Sequence, residues 1–329
     1  MKYSIEFIKG LSALVEGKYD KASVHLKNAA LEKSDRIEAY YCAGLVFRKT
    51  KQFERATYVL ESILRSSDLD NSTKRALNVE LGRVMFDAGN YNIAYSILEM
   101  TTDKEGMLLR ARALRKLDRF EEAANTYKVI TKQEKINLDN EIGFCYYRCA
   151  LASSGSKQAK YLKMALSYIP KSRCVSMTQI DSMIQIGKAS KALVDIERFI
   201  AAGLPAGMED MSKFQAVFFD MHRTEELMRI VMKRIQEGSS NPFLYTFAAS
   251  RLLHGENKEK ANEIINRYIE KFGFSNVIAR ASLEISPCTI MAKYLETAYF
   301  YQCKACGAKH KEYKDACPSC QGFETLEPI

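Results

Sequence analysis

Gly82-Arg83-Val84-Met85-Phe86-Asp87-Ala88-Gly89-Asn90-Tyr91-Asn92-Ile93-Ala94-Tyr95-Ser96-Ile97-Leu98 decides the architecture of this chain. Apolar side chains recur at helical spacing on both sides of Gly89-Asn90, and a glycine there ends one helix and turns the chain into the next. The small residues Gly82 and Ala94 let two antiparallel helices approach closely, while Tyr91 and Leu98 fill the adjoining layer. The same arrangement recurs along the chain. Tyr19 with Ala22, Phe53 with Ala56, Tyr91 with Ala94 and Phe120 with Ala123 align, and the alanines stand 34, 38 and 29 residues apart. Gly10, Gly44, Gly82 and Ala111 precede these alanines by twelve residues, and Leu26, Leu60, Leu98 and Tyr127 follow them by four.

A period near 34 with these small and aromatic positions is that of the tetratricopeptide repeat. Ala159, Ala192 and Ala261 continue the series, with a degenerate unit around Leu227, so about seven to eight units are expected over residues 1–298. One hairpin cannot bury its apolar face alone, and each unit is stabilised by its neighbours. Ser66-Ser67-Asp68-Leu69-Asp70-Asn71-Ser72 reads as a long inter-repeat loop that accounts for the 38-residue spacing. Ser153-Ser154-Gly155-Ser156 and Gly203-Leu204-Pro205-Ala206-Gly207 read as further breaks, and Ser239-Ser240-Asn241-Pro242 as a helix start.

The chain closes on Cys303-Lys-Ala-Cys306 and Cys317-Pro-Ser-Cys320, with ten residues between the two pairs. Two C-x-x-C knuckles at this separation bring four thiolates around one ion. One zinc ion is expected on Cys303, Cys306, Cys317 and Cys320, with iron as the other occupant such a site takes. Residues 299–329 are therefore assigned to a small metal-binding domain, the one region where strands are expected. The fold class is all-α: a tetratricopeptide-type helical-hairpin solenoid with a small rubredoxin-like zinc ribbon at its end.

The remaining cysteines, Cys42, Cys145, Cys149, Cys174 and Cys288, show no framework, and nine in total is an odd number, which points to a reducing, cytoplasmic setting. The first residues carry no long apolar run, so neither a secretory signal nor a membrane span is read there. Basic residues exceed acidic ones by 49 to 40, a spread excess that does not call for nucleic acid. Lys304, Lys309, Lys311 and Lys314 lie near the knuckles, but Glu312 and Asp315 interrupt them. The densest basic cluster is Arg110, Arg112, Arg115, Lys116 and Arg119; it reads as a solvated helix face, or as a landing site for an acidic partner or anionic membrane.

Stacked hairpins expose their first helices on a concave wall. Tyr41, Arg48, Lys49 and Arg83 are placed there as candidate partner-binding residues, suited to an extended peptide or partner helix. The competing reading has Arg48 and Arg83 paired with neighbouring carboxylates. No nucleotide-binding glycine motif occurs, and none of the four histidines sits beside a nucleophile and an orienting acid, so no catalysis is expected.

Gly44-Leu45-Val46-Phe47-Arg48 with Phe53-Glu54-Arg55-Ala56, Glu80-Leu81-Gly82-Arg83 with Ala88-Gly89-Asn90-Tyr91, and the tail from Tyr301 through Cys320 resemble the bacterial lipopolysaccharide assembly protein B family. The resemblance implies a non-enzymatic adaptor that limits lipopolysaccharide synthesis by presenting the lipid A deacetylase to a membrane-bound AAA protease. By the same resemblance the four cysteines are metal ligands, and the protein works at the cytoplasmic face of the inner membrane. Two departures stand out. Enteric members begin with a membrane-spanning helix, whereas this sequence begins at the first repeat, so the anchor is either removed or naturally absent. Their metal domain carries tryptophan where this chain has none and offers Phe323. The alternative function is a general tetratricopeptide adaptor or co-chaperone whose metal knob only caps the solenoid.

Overall fold

A computed structural model describes residues 3–31, 36–65, 69–287, 292 and 295–329. Part of the expected loop at Ser66-Ser67-Asp68, and Cys288, lie outside the described residues. The chain divides into two compact units, Met1–Ala152 and Ser153–Ile329.

The first unit is built of antiparallel helix pairs: α1 (Ile5–Val15) with α2 (Tyr19–Leu31), α3 (Arg36–Lys49) with α4 (Phe53–Leu64), α5 (Asn71–Asp87) with α6 (Tyr91–Leu98), and α7 (Lys104–Lys116) with α8 (Phe120–Glu134), followed by α9 (Asp139–Leu151). The second begins with α10 (Gly155–Tyr168). It continues through α11 (Arg173–Gln185) with α12 (Ala189–Ala201), α13 (Met208–Asp220) with α14 (Thr224–Gln236), α15 (Pro242–His254) with α16 (Lys258–Phe272), and α17 (Asn276–Ile285). Among the described residues, strands occur only in the tail: β1 (Tyr301–Cys303), β2 (Lys309–His310) and β3 (Leu326–Pro328), in antiparallel order β2-β1-β3. This is the expected all-α fold of tetratricopeptide-type hairpins with a small cysteine-bearing sheet.

Close approach within each hairpin follows from the small residues. A Cβ placed on Gly10 would stand 2.8 Å from Leu26, one on Gly44 3.0 Å from Leu60, and one on Gly82 2.7 Å from Leu98, all tighter than an alanine can hold without displacing the leucine. In the fourth hairpin Ala111 and Tyr127 take these places, both buried. Each second helix buries a ladder at four- and three-residue steps, Ala22–Leu26–Ala29, Ala56–Leu60–Ile63 and Ala123–Tyr127–Ile130. Ala192–Ile196–Phe199 and Ala261–Ile265–Tyr268 repeat it in the second unit, with Leu227–Val231 in the degenerate hairpin.

Ala159 departs from the expected series. It is exposed, whereas Leu162 and Ala165 are buried, so Gln158 stands where the ladder's alanine would be. Gly155 lies at φ 58° at the start of α10, and the buried face of that helix is one residue out of the expected phase. Asn71 likewise begins α5 inside the segment read as loop. Asp70 caps it by accepting from the backbone N–H groups of Ser72 and Thr73 at 2.7 and 2.9 Å. Asn241 caps α15, with Pro242 in the first turn, as its sequence implies.

One turn geometry joins seven hairpins. A residue two places before the second helix takes positive φ, and the next backbone N–H reaches back five residues to a carbonyl of the first helix. Examples are Lys18 to Ala13 (2.8 Å), Gln52 to Phe47 (2.8 Å), Asn90 to Met85 (2.8 Å), Arg119 to Leu114 (2.9 Å) and Asn257 to Leu252 (2.9 Å). Glycine holds the positive-φ place at Gly17, Gly89 and Gly187, but Lys51, Asp118, His222 and Glu256 hold it elsewhere. A left-handed conformation costs an L-residue roughly 1–2 kcal/mol, so these four turns are imposed by the packing around them. Lys51→Gly should therefore stabilise the first unit by about 1 kcal/mol, and Gly89→Ala should destabilise it by about as much. Urea unfolding of the two variants checks the opposite signs.

Candidate metal centre

The two knuckles are held by the strands and by their own turns. In the first, the Gly307 N–H donates to the Cys303 carbonyl at 2.8 Å, with Gly307 at φ 73°. In the second, Gln321 donates to the Cys317 carbonyl at 2.8 Å and Cys317 to the Gly322 carbonyl at 2.9 Å. Cys303 pairs across β1–β3 with Leu326, and an isolated bridge joins Ala316 to Phe323. The expected ligands thus arrive together from two turns.

The Sγ atoms of Cys303, Cys306, Cys317 and Cys320 lie within 4.8 Å of one another, the one such cluster among the described residues. Cys303 Sγ is 3.7 Å from Cys320 Sγ, and Cys306 Sγ is 3.7 Å from Cys317 Sγ. A tetrahedral ion with metal–sulfur bonds of about 2.3 Å has sulfur–sulfur edges of about 3.8 Å, so the cage has the size for one ion. Cys303 and Cys317 are buried, while Cys306 and Cys320 face solvent. The Thr325 hydroxyl, 3.0 Å from Cys303 Sγ, is the largest cause of a Cys303 thiol pKa lowered to about 6, helped by the N–H groups of Cys306 and Ala305. The shift is not shared: the Cys306 thiol is pushed up to about 12 and that of Cys320 is raised too, the pull of backbone N–H groups there being outweighed by desolvation and the neighbouring thiols. Cys303 is thus the thiol most inclined to ionise.

The other described cysteines form no second site and no disulfide. Burial pushes the thiols of Cys42 and Cys145 up to about 11 and about 12, and that of Cys174 higher still, as expected of small apolar core residues.

Sequence alone did not show how the metal knob is seated. It lies across the N-terminal ends of α11, α13, α15 and α17 in the second unit. At α11, Arg173 reaches Asp210 of α13 through two bonds, at 2.7 and 3.3 Å, and Asp315 of the knob at 3.0 Å. Its guanidinium also lies 4.6 Å over the Tyr313 ring. The Cys174 N–H donates to Glu324 at 2.6 Å, which sets a carboxylate where the unpaired amides of a helix start attract negative charge. The Tyr301 hydroxyl donates to the Ala206 carbonyl at 2.6 Å, and burial pushes that phenol up to about 12. Phe243 of α15 and Val277 of α17 pack with Tyr301, Cys303, Cys317 and Leu326 in one apolar cluster. Asn276 donates from its backbone to the Ile329 carbonyl and from its side chain to Tyr299. No spacing or motif marks Arg173, Asp210 or Glu324, because their roles arise from contacts up to 150 residues apart in sequence.

The candidate partner residues lie in the first unit. Glu80 of α5, 1% exposed, receives Arg48 Nε at 2.7 Å and Arg83 Nη1 at 3.0 Å. Arg48 continues to Asp87 at 2.8 Å, and Arg83 to Glu105. Both arginines therefore neutralise a buried carboxylate. Tyr41 and Arg83, with Arg75, Val79, Thr102 and Glu105, line a concavity of about 350 Å³, whereas Lys49 is exposed outside it. Three of the five residues in the basic cluster are locally engaged: Arg110 donates to the Glu99 carbonyl, Arg115 covers the Phe144 ring, and Arg119, at the start of α8, pairs with Glu122, whereas Arg112 and Lys116 are exposed.

Compared with curated proteins, the chain matches lipopolysaccharide assembly protein B of Escherichia coli K12 at 21% identity, over 100% of this chain and 90% of that protein. The same protein of the O157:H7 strain matches equally. The likeness to that family runs through the whole chain. No protein-family profile matches. Among solved structures, a tetratricopeptide repeat protein from Parabacteroides merdae aligns with 86% of this chain and 98% of its own at 13% identity and a TM-score of 0.41. YrrB, described as a tetratricopeptide protein with an unusual peptide-binding site, aligns with 54% and 92% at 18% identity and 0.40. At these scores the fold assignment rests on the hairpin geometry. No described helix is long and apolar enough to cross a membrane.

Two outcomes are expected. Cys317→Ser with Cys320→Ser should abolish metal retention, read by elemental analysis, while circular dichroism keeps most of the helical signal because hairpin packing is local. Asp210→Ala should remove two of the three carboxylate bonds of Arg173, leaving Asp315 as its partner, and cost about 1–3 kcal/mol in the unfolding of the second unit, measured by denaturant titration.

Proposed function

We propose that this protein is a non-enzymatic adaptor of lipopolysaccharide assembly, which takes up a protein client and hands it to a second protein. The carrying observation is the whole-length similarity to lipopolysaccharide assembly protein B, which extends across the hairpins and the tail alike. The finer reading follows the family resemblance: the client is the lipid A deacetylase, the recipient is a membrane-bound AAA protease, and the work is done at the cytoplasmic face of the inner membrane. One zinc ion, or iron in its place, is held by Cys303, Cys306, Cys317 and Cys320.

The domain boundary at 298/299 separates helices from metal knob in sequence, yet the knob shares an apolar cluster with α15 and α17. This favours a knob that fixes the geometry of the second unit over one that merely closes the end of the stack. A client surface in the first unit is proposed at the concavity lined by Tyr41 and Arg83, with Arg48 and Lys49 farther along α3 as its outlying candidates. Since Arg48 and Arg83 also balance Glu80, charge reversal there would disturb folding as well as binding. Tyr41→Ala with Arg75→Glu is the cleaner probe, because Arg75 is exposed and its recorded bond is to the Asn71 carbonyl.

Affinity capture from cells followed by mass spectrometry tests this reading. Wild type should recover a membrane protease and a lipid A enzyme, and Tyr41→Ala with Arg75→Glu should reduce recovery of one of them at least about tenfold with unchanged circular dichroism. Recovery of chaperones alone would favour the general adaptor. Equal capture by both forms would remove the concavity from the client surface.

A further inference from the structure

The four sulfurs of the metal centre are not equivalent in their surroundings. Cys306 and Cys320 face solvent, and water can share their charge, whereas Cys303 and Cys317 are 1% and 0% exposed. Four thiolates around one divalent ion leave net negative charge on the centre, and the two sulfurs cut off from water need donors from the protein. Each has a side-chain donor within reach, which at Cys303 adds to the backbone N–H groups of Cys306 and Ala305. Thr325 Oγ1 stands 3.0 Å from Cys303 Sγ, and His310 Nε2 stands 3.5 Å from Cys317 Sγ.

We propose that His310 and Thr325 are positioning residues of the metal centre, donating hydrogen bonds to the thiolates of Cys317 and Cys303 and thereby setting how slowly the ion leaves. This rests on the reading of the four cysteines as metal ligands and is independent of the client.

Both donors are anchored by backbone that the sheet fixes. His310 pairs with Tyr301 across β1–β2, and its carbonyl accepts from Phe300 at 3.0 Å, which holds the half-buried ring beside Cys317. The Thr325 carbonyl accepts from Lys304 at 2.8 Å, immediately beside Cys303. The Thr325 hydroxyl has one proton and two acceptors within reach, the Gly322 carbonyl at 3.1 Å and the Cys303 sulfur. With a protonated thiol, Cys303 donates to the hydroxyl oxygen and the hydroxyl donates to Gly322. With a metal-bound thiolate, the hydroxyl turns its proton to sulfur. Gly322 keeps this corner open: a Cβ there would meet Thr325 Cγ2 at 2.9 Å and Cys320 Sγ at 3.3 Å. On the histidine, a proton on Nε2 is the tautomer that serves the sulfur. Such outer-shell donors typically change metal affinity by about 10–100-fold when removed.

The test uses the full chain loaded with zinc and follows release to a chromogenic chelator, with a cobalt(II)-loaded sample for spectroscopy. His310→Phe and Thr325→Val should each release zinc at least about tenfold faster, and their sulfur-to-cobalt charge-transfer bands should move to lower energy as the sulfur loses its donor. His310→Gln and Thr325→Ser keep a donor near the same place and should stay close to wild type in both measurements. Release within about twofold of wild type in both apolar variants would overturn the proposal. So would conservative variants that lose zinc as fast as the apolar ones, since shape alone would then be at work. Should the apolar variants fail to load, the conservative pair decides: wild-type retention supports the donors, and fast loss overturns them. A wild-type chain that takes up neither zinc nor cobalt removes the ligand reading and this one with it.

Discussion

The repeats depend on how closely two helices can lie against each other. At Gly10, Gly44 and Gly82 the facing leucine occupies the space a Cβ would need, and the gain in dispersion contact comes from that proximity. Closeness at this point fixes the turn. The chain must reverse within a few residues, and the hydrogen bond reaching back five residues closes the first helix in the same way in hairpin after hairpin. Lys51, Asp118, His222 and Glu256 adopt positive φ because the two helices on either side leave no other path. Local preference yields there to the packing of many buried side chains, as it does wherever a tertiary gain exceeds a cost of a kcal/mol or two.

The tail obeys a different economy. Three strands of two or three residues cannot bury enough surface to stand alone. Two sources of order are available to it. One is the ion, for which the sulfurs are spaced as tetrahedral edges, with binding of about 10–16 kcal/mol typical for such sites. The other is the face of the second unit, where helix starts offer unpaired amides and Arg173 offers a forked cation. Asp315 and Glu324 flank the second knuckle, so the segment that carries Cys317 and Cys320 also carries the contacts to α11. Ligand geometry and docking are thereby written into one stretch of chain.

Electrostatics within the first unit follow the same logic. Glu80 is buried on a helix that must pack on both sides, and a lone carboxylate there would be costly. Arg83, one turn on along the same helix, and Arg48, from the preceding hairpin, each give it a bond. Their sequence positions suggested a binding wall, and their first duty in the folded chain is to hold neighbouring repeats in register. The competing reading, that these arginines pair with neighbouring carboxylates, is the one the fold bears out: Glu80 and Arg83 stand three apart on one helix, which spacing shows, whereas the bond from Arg48 crosses 32 residues and depends on how the hairpins stack.

The hairpins, their phase in most units, the helix caps at Asn241 and the four sulfurs were legible in the residues, because each depends on spacing within a few turns or one knuckle. Ala159 was misplaced by one residue, because an alanine series at unequal spacings does not fix the phase of a degenerate unit to a single residue. The seat of the knob, the clamp of Arg173 between Asp210 and Asp315, and the approach of His310 and Thr325 to the buried sulfurs belong to the tertiary structure alone. They join residues far apart in the chain through distances of about three ångströms, and a linear pattern carries no measure of such distances. What the sequence determined is the local geometry that repeats. What the folded chain decided is which of its polar groups meet, since that depends on where whole helices come to rest.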